Sequence, residues 1–259
     1  MLHLTVLTGA SRGLGAALAD QLLQADTRLL CISRGSSASL AAKATALASR
    51  AGLAETLLLE QWTLDLADSA PVAQQLAAWL ARQASPQLAS ATLINNAAVI
   101  PAVTPLAAAQ SLELAQALRV GLEAPMQLTA AFLAATANWN CSRKVLNISS
   151  GLGRYAMASQ AAYCAAKAGM DHFSRCVALE EAQHSHGAKI CSLAPGVIDT
   201  DMQLQLRNTP ATDFADVARF QALHAQGQLA SPADTAAKIL AYLARPDFGN
   251  ETVADIRSV

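Results

Sequence analysis

Seven short apolar runs, at residues 4–8, 29–33, 56–63, 91–95, 144–149, 189–194 and 252–256, recur along the chain, and an Ala/Leu-rich stretch follows each of the first six. The runs are close to continuously apolar rather than alternating, which is how a strand reads when both of its faces are covered. The stretches between them, 13–24, 37–51, 69–84, 108–137, 160–184 and 232–244, carry apolar residues at helical spacing. A β-α unit repeated six times and closed by a last strand folds as a parallel sheet with helices on both faces, because parallel neighbours need a crossover long enough to hold a helix.

No Pro/Gly/Ser-rich linker, composition shift or fixed-period repeat divides the 259 residues, so one domain over 1–259 is expected. Residues 199–230 are more polar than their surroundings and join the sixth strand to the last helix, as an insertion that covers a site does. This segment is read as a substrate-binding lobe. Lys plus Arg number 18 and Asp plus Glu 19, and aromatics are 4%, so neither a phosphate-binding surface nor a series of stacking rings for nucleic acid is present. Charged residues at 14% against 53% apolar exclude disorder.

The uncharged stretches 83–112 and 124–142 are interrupted by Pro86, Asn95, Pro101, Pro125 and Asn138, so no membrane span is expected. Met1 leads straight into a strand with no basic or apolar leader, and the expected location is the cytoplasm. Five scattered cysteines without CxxC spacing and five histidines without HExxH predict neither a disulfide nor a metal site.

Where the first strand gives way to the first helix the chain reads Thr8-Gly9-Ala10-Ser11-Arg12-Gly13-Leu14-Gly15. Glycines at such a turn let backbone N–H groups approach a pyrophosphate, whose charge is also favoured at a helix N-terminus. No Lys-Ser/Thr pair follows them, so the turn is not a phosphoryl-transfer loop. Together with the repeated β-α units it predicts an α/β fold of the Rossmann type, a doubly wound parallel seven-stranded sheet with strand order 3-2-1-4-5-6-7.

In such folds an acid at the tip of the second strand holds the ribose of NAD; here the tip is Ser33-Arg34. Arg34 and Arg12 suit a 2′-phosphate through charge-assisted hydrogen bonds, which favours NADP(H). Asp65 and Leu66, after the third strand, are placed to cradle the adenine.

Tyr163 and Lys167 stand at i and i+4 on one predicted helix face, with Ser149 and Ser150 upstream at the end of a strand. A phenol near pKa 10 must be stabilised by about 4 kcal/mol to ionise at neutral pH, and a nearby cation has the right sign for it. A serine hydroxyl against the same carbonyl oxygen completes a set for proton transfer to a developing alkoxide. No GxSxG elbow surrounds Ser150, which disfavours a serine hydrolase.

Taken in order, TGASRGLG (8–15), NNAA (95–98), NISS (147–150), YCAAK (163–167) and PGVIDT (195–200) resemble the short-chain dehydrogenase/reductase family over nearly the whole chain. The resemblance implies Tyr163 as proton donor or acceptor, Lys167 as the residue that binds the nicotinamide ribose and lowers the Tyr163 pKa, and Ser150 rather than Ser149 on the substrate oxygen. It implies a cofactor turn at Asn96, Ala97 and Ala98, with Ala98 in place of the commoner glycine, and a nicotinamide loop at Pro195, Gly196, Ile198 and Thr200. It departs from the family at Gly121, where an asparagine is usual. The long helices 108–137 and 160–184 are the ones through which family members associate, so a homodimer is expected.

Within the family, Asp199 to Gln203, Phe220, Leu223, Gly227, Leu229 and Asp255 are similar to the sepiapterin reductase and bacterial benzil reductase group, which reduces vicinal dicarbonyls. The resemblance implies Asp255 as an anchor for amino groups of a pterin, and Leu152, Tyr155, Met157, Met202 and Leu206 as an apolar wall for a flat aromatic substrate. Two alternatives stay open: the same chemistry on a 3-oxoacyl thioester, a sugar or a steroid, and a catalytically weak NADP(H)-binding sensor, for which Gly121 is the supporting feature.

Overall fold

The computed structural model describes residues 1–259 except Leu53, Thr56 and Leu57. Seven parallel strands, β1 (Leu2–Thr8), β2 (Thr27–Ser33), β3 (Leu59–Thr63), β4 (Leu88–Asn95), β5 (Ser142–Ile148), β6 (Lys189–Ala194) and β7 (Val253–Asp255), form one sheet in the order β3-β2-β1-β4-β5-β6-β7. This is the architecture and strand order expected from the sequence. The start of the expected third strand, at Thr56 and Leu57, lies outside the described residues.

Alternate residues of each strand go to opposite faces, and the register aligns them across the sheet. Val6 lies beside Leu30 and Leu93. All three bury into the layer carrying Leu76 of α3 (Ser69–Ala81), Phe132 of α5 (Ala124–Thr136) and Val177 of α6 (Ala161–Glu181). One residue on, Leu7 lies beside Cys31 and Ile94, and these face Leu18 of α1 (Gly13–Leu22), Ala44 of α2 (Ala38–Ala51) and Ile239 of α9 (Pro232–Ala244). Both faces of the central strands are covered, which is why those strands read as nearly unbroken apolar runs. Phe132 is fully buried, and its truncation to alanine is of the kind that costs about 3–5 kcal/mol.

The single helix expected over 108–137 is not continuous. Helix α4 (Ser111–Leu118) runs into one π-helical turn, Arg119–Glu123, before α5 begins. Ala124 N–H donates to the Arg119 carbonyl, five residues back, and Pro125 has no N–H to give the Gly121 carbonyl four residues back. A proline so placed forces the helical ladder to widen in the turn before it.

The polar segment after β6 holds two helices that the apolar pattern does not reveal, α7 (Asp201–Asn208) and α8 (Val217–Ala225). Its base is pinched by a parallel bridge between Ile198 and Ala230, with Asp199 N–H donating to the Ala230 carbonyl (2.9 Å) and Ala230 N–H to the Val197 carbonyl (3.0 Å). Among the described residues no helix is long and apolar enough to cross a membrane, and no group of three metal-ligating side chains is assembled.

Candidate active site

In a doubly wound sheet the crossovers leave the first strand in opposite directions, and the crevice this opens at the carboxyl ends of the strands receives ligands. Here β1 sits between β2 and β4, and at their carboxyl ends lies a cleft of about 1000 Å³. Its floor is built by close backbone approach. A Cβ on Gly15 would stand 1.9 Å from the Gly9 carbonyl oxygen, and one on Gly9, whose φ is +71°, would stand 2.8 Å from the Cα of Ala97. Only glycine fits these two positions, so at the start of α1 the turn presents backbone without side chains to the cleft.

Thr8 and Asn96 hold the turn against β4. Thr8 Oγ1 accepts from the N–H groups of Asn96 and Ala97, both at 3.0 Å, while Asn96 Nδ2 donates to the carbonyls of Thr8 (3.0 Å) and Gly9 (3.2 Å).

The cleft is lined at this end by Gly9, Ser11, Arg12, Gly13, Leu14 and Gly15, by Ser33 and Arg34 from the tip of β2, by Asp65 and Leu66 after β3, and by Asn96, Ala97 and Ala98 after β4. Pro195, Gly196, Ile198 and Thr200, after β6, close it. Ser33 Oγ is already engaged, accepting from Ala10 N–H at 2.7 Å, and Asp65 caps a short turn by accepting from Ala67 N–H at 2.9 Å. Arg34 is exposed, and Arg12 reaches across the cleft mouth to Asp201 of α7 at 3.2 Å. The bare glycine turn with two guanidinium groups beside it fits the pyrophosphate and phosphate groups of a dinucleotide.

At the other end of the cleft stand Ser150, Tyr163 and Lys167. Tyr163 and Lys167 lie one turn apart on the inner face of α6, both buried, with Lys167 Nζ 5.7 Å from the centre of the Tyr163 ring. Lys167 Nζ donates to the Ile148 carbonyl at 2.7 Å, which fixes it at the end of β5. Burial pushes the Tyr163 phenol up to about 12, with the Ser150 hydroxyl offsetting part of that rise. The expected depression of this phenol by Lys167 is not seen in the protein alone, where desolvation by burial sets the direction of the shift. Burial also lowers Lys167 to about 8, against the opposing charge of Asp171.

Leu152, Tyr155, Met157, Met202, Leu206 and Asp255 line the same cleft. Tyr155 is 72% exposed at the rim, whereas Leu206 is buried with Val103, Phe214, Val217 and Phe220 in a small core of the lobe. Asp255 is not free as an anchor. Arg257 grips it with both ends of the fork, Nε to Oδ1 at 2.8 Å and Nη2 to Oδ2 at 2.7 Å, and the hydrogen bonds from Arg257 hold the carboxyl below its ordinary range.

Several residues at the site carry no local signal that sequence reading picked out. Asp171, one turn beyond Lys167, is 2% exposed, and its Oδ1 accepts from Ser149 Oγ (2.6 Å) and Ser192 Oγ (2.7 Å), while Oδ2 faces Arg154 Nε at 3.5 Å. The spacing Tyr163, Lys167, Asp171 was the available clue. Gln160, Arg219 and Arg257 also line the cleft. Gly121 is buried in the π turn, where an added Cβ would stand 3.1 Å from the Cβ of Ala166, so the glycine lets this turn press on α6 beside Lys167.

The short chain dehydrogenase family matches residues 3–211. The chain belongs to that family. It is 35% identical over 250 residues, 94% of each chain, to a benzil reductase ((S)-benzoin forming) of Bacillus cereus. It is 32% identical over 260 residues to the sepiapterin reductase of Rattus norvegicus, covering 98% of this chain and 96% of that one. A Beutenbergia cavernae chain solved with bound NADP at low occupancy superposes with a TM-score of 0.75 at 26% identity, covering 98% of this chain and 94% of that one. This short-chain dehydrogenase is an oxidoreductase of the carbonyl reductase kind.

Proposed function

We propose that the chain is an NADPH-dependent reductase of vicinal diketones, benzil-like or sepiapterin-like, with Tyr163 as proton donor. The observation that carries the reading is that Ser150, Tyr163 and Lys167 face one cleft with the bare glycine turn and its two arginines. Reduced nicotinamide, when bound, supplies the hydride. As the carbonyl carbon gains it, the π electron pair moves to oxygen and the Tyr163 phenol gives up its proton there, while the Ser150 hydroxyl donates to the same oxygen. A phenol held up by burial arrives with the proton that a reduction consumes. Lys167 holds the ribose and, through its charge, eases the loss of that proton. Arg12 and Arg34 receive the 2′-phosphate, the other cofactor-facing residues named above the rest of the dinucleotide.

In this reading residues 1–259 act as one unit, with the lobe at 199–230 closing over a small-molecule carbonyl substrate against Leu152, Tyr155, Met157, Met202 and Leu206. The acting form is a homodimer joined through α4, α5 and α6, which leave Leu112, Leu118, Met126 and Leu179 exposed.

Following NADPH oxidation with benzil or 1-phenyl-1,2-propanedione tests the reading directly. Tyr163→Phe is expected to lower turnover about 10²–10⁴-fold while NADPH affinity, read by nucleotide fluorescence, is unchanged. Turnover retained in that variant overturns the role of Tyr163. Arg34→Asp is expected to cost about 10–100-fold in NADPH affinity relative to NADH, the worth of one charge-assisted phosphate contact. Tight cofactor binding without turnover of any carbonyl compound would favour the sensor instead.

A further inference from the structure

Among the described residues two cleft side chains carry unpaired buried polar atoms, Gln203 at Oε1 alone and Gln160 at both ends. Gln160 is 1% exposed and lines the cleft, yet neither its Nε2 nor its Oε1 has a hydrogen-bond partner. A buried primary amide with both ends unpaired is disfavoured, and where one is kept it calls for a functional explanation. Its position is also held against a local preference. Ser159, just before it, is the sole non-glycine residue with positive φ (+62°) among the described residues, and Ser159 Oγ donates to the Asp213 carbonyl of the lobe at 2.6 Å. Backbone held in this region by an outside contact is a mark of functional positions. That contact sets Gln160 at the entry to α6, where its own carbonyl accepts from Cys164 N–H and where Tyr163 follows in the first turn.

From this placement we infer that Gln160 selects for substrates with a second oxygen next to the carbonyl being reduced, its Nε2 donating to that neighbouring carbonyl. The inference rests on the diketone reading above and adds the residue that tells a dicarbonyl from a simple ketone. The amide has one donor side and one acceptor side. A vicinal dicarbonyl engages the donor through its unreduced C=O. When the reacting carbonyl has taken hydride at carbon and the Tyr163 proton at oxygen, the product carries a hydroxyl beside a carbonyl, and that hydroxyl is the donor Oε1 lacks. The donor contact to the unreduced carbonyl is kept from the bound substrate through the transition state, so losing it lowers kcat/KM, while Oε1 gains its donor in the product. A monoketone with an apolar group at that position leaves the donor unpaired, and buried donors left unpaired are what discriminate such analogues.

Gln160→Leu and Gln160→Met are the tests, read on a matched pair, 1-phenyl-1,2-propanedione and 1-phenyl-1-propanone, with NADPH. Because the amide has no partner in the protein, neither change is expected to lower the thermal midpoint or NADPH affinity. Both are expected to reduce kcat/KM for the diketone about 10-fold or more, the worth of one lost hydrogen bond with its partner left buried, while the monoketone value stays level or rises. Equal losses on both ketones, or no loss on the diketone, overturns the role of Gln160 and leaves the reductase reading intact. A wild-type enzyme that reduces the monoketone as fast as the diketone overturns both the selection and the diketone reading, and a drop in thermal midpoint in both variants makes Gln160 a structural residue.

Discussion

Lys167 stands between two effects that pull its proton in opposite directions. Burial strips water from the ammonium and lowers it to about 8, and the Asp171 carboxylate one turn along α6 works against that. The charged groups around Asp171 are Lys167 on its own helix and Arg154 from the turn after Ser150, while Ser149 and Ser192 donate to it from β5 and β6. Lys167 binds its proton less tightly folded than unfolded. Between about 8 and its ordinary value the unfolded chain therefore carries more protons, and the stability from this group rises with pH across that window.

Catalysis has the opposite sign, because the proposed role needs the cation. We expect kcat/KM for diketone reduction to fall above about pH 8 and the basic limb to move lower in Asp171→Asn, where the shape is kept and the supporting charge is gone. A pH profile that does not move in Asp171→Asn would assign the limb to another group. Tyr163 and Lys167 could be read from their i, i+4 spacing. Asp171 lies at i+8 on the same line, but a lone helical carboxylate is usually solvated and gives no signal of its own. Only the fold brings Ser149, Ser192 and Arg154 around it.

The carboxyl end of the central strands is held by a line of polar side chains inside an otherwise apolar layer. Asn95 Nδ2 donates to Asn147 Oδ1 at 2.8 Å and to Thr129 Oγ1 at 3.2 Å, and Asn147 Nδ2 donates to Ser174 Oγ at 2.9 Å, tying β4, β5, α5 and α6 together. Asn147 is completely buried. Asn147→Ala leaves the Asn95 amide short of its better acceptor and is expected to destabilise the fold by about 2–3 kcal/mol. Urea unfolding should show a lower midpoint at an unchanged slope. A loss under about 0.5 kcal/mol, the level of an ordinary surface substitution, would mean that the line relaxes without it.

The central strands were legible because burial on both faces writes them as nearly unbroken apolar runs, whereas the edge strand β3 carries Glu60 and Gln61 and buries only Leu59. The π turn was not: the apolar period continues through Gly121 and Pro125, and the break follows from a missing N–H rather than from any change of pattern. Helix α7 was hidden for another reason. Met202, Leu204 and Leu206 alternate with polar residues as a strand would, yet the segment is helical, with Leu206 buried and Leu204 48% exposed. Reading the lobe required knowing what it packs on.

The molecule as a whole is one sheet between two helical layers, carrying a lobe with a separate small core. Val103, Leu206, Phe214, Val217 and Phe220 pack with Ile100 and Met157, apart from both large layers. Beyond the bridge at its base, the lobe is tied to the body through loops: Ser159 Oγ to the Asp213 carbonyl, Gln205 Nε2 to the Pro101 carbonyl at 3.1 Å, and the exposed pair Arg12–Asp201. An exposed ion pair of that sort contributes about 0–1 kcal/mol, so the lobe is held down chiefly by its small cluster on Ile100, Val103 and Met157, separate from the two large layers that hold the sheet, and a local opening can leave the sheet intact.

Amide hydrogen exchange should therefore show α7 and α8 exchanging well before β1, β4 and β5. Because the cleft is lined by Arg12 and Gly13 on one side and by Thr200, Met202 and Leu206 on the other, ligands that span it join lobe to body. NADPH together with benzoin is expected to slow exchange in α7 and α8 while leaving the already protected strands unchanged, and NADPH alone to act mainly on residues 199–206. Lobe amides as slow as those of β5 in the free protein would make the lobe part of the rigid body, and access to the cleft would then have to come by the open rim at Tyr155.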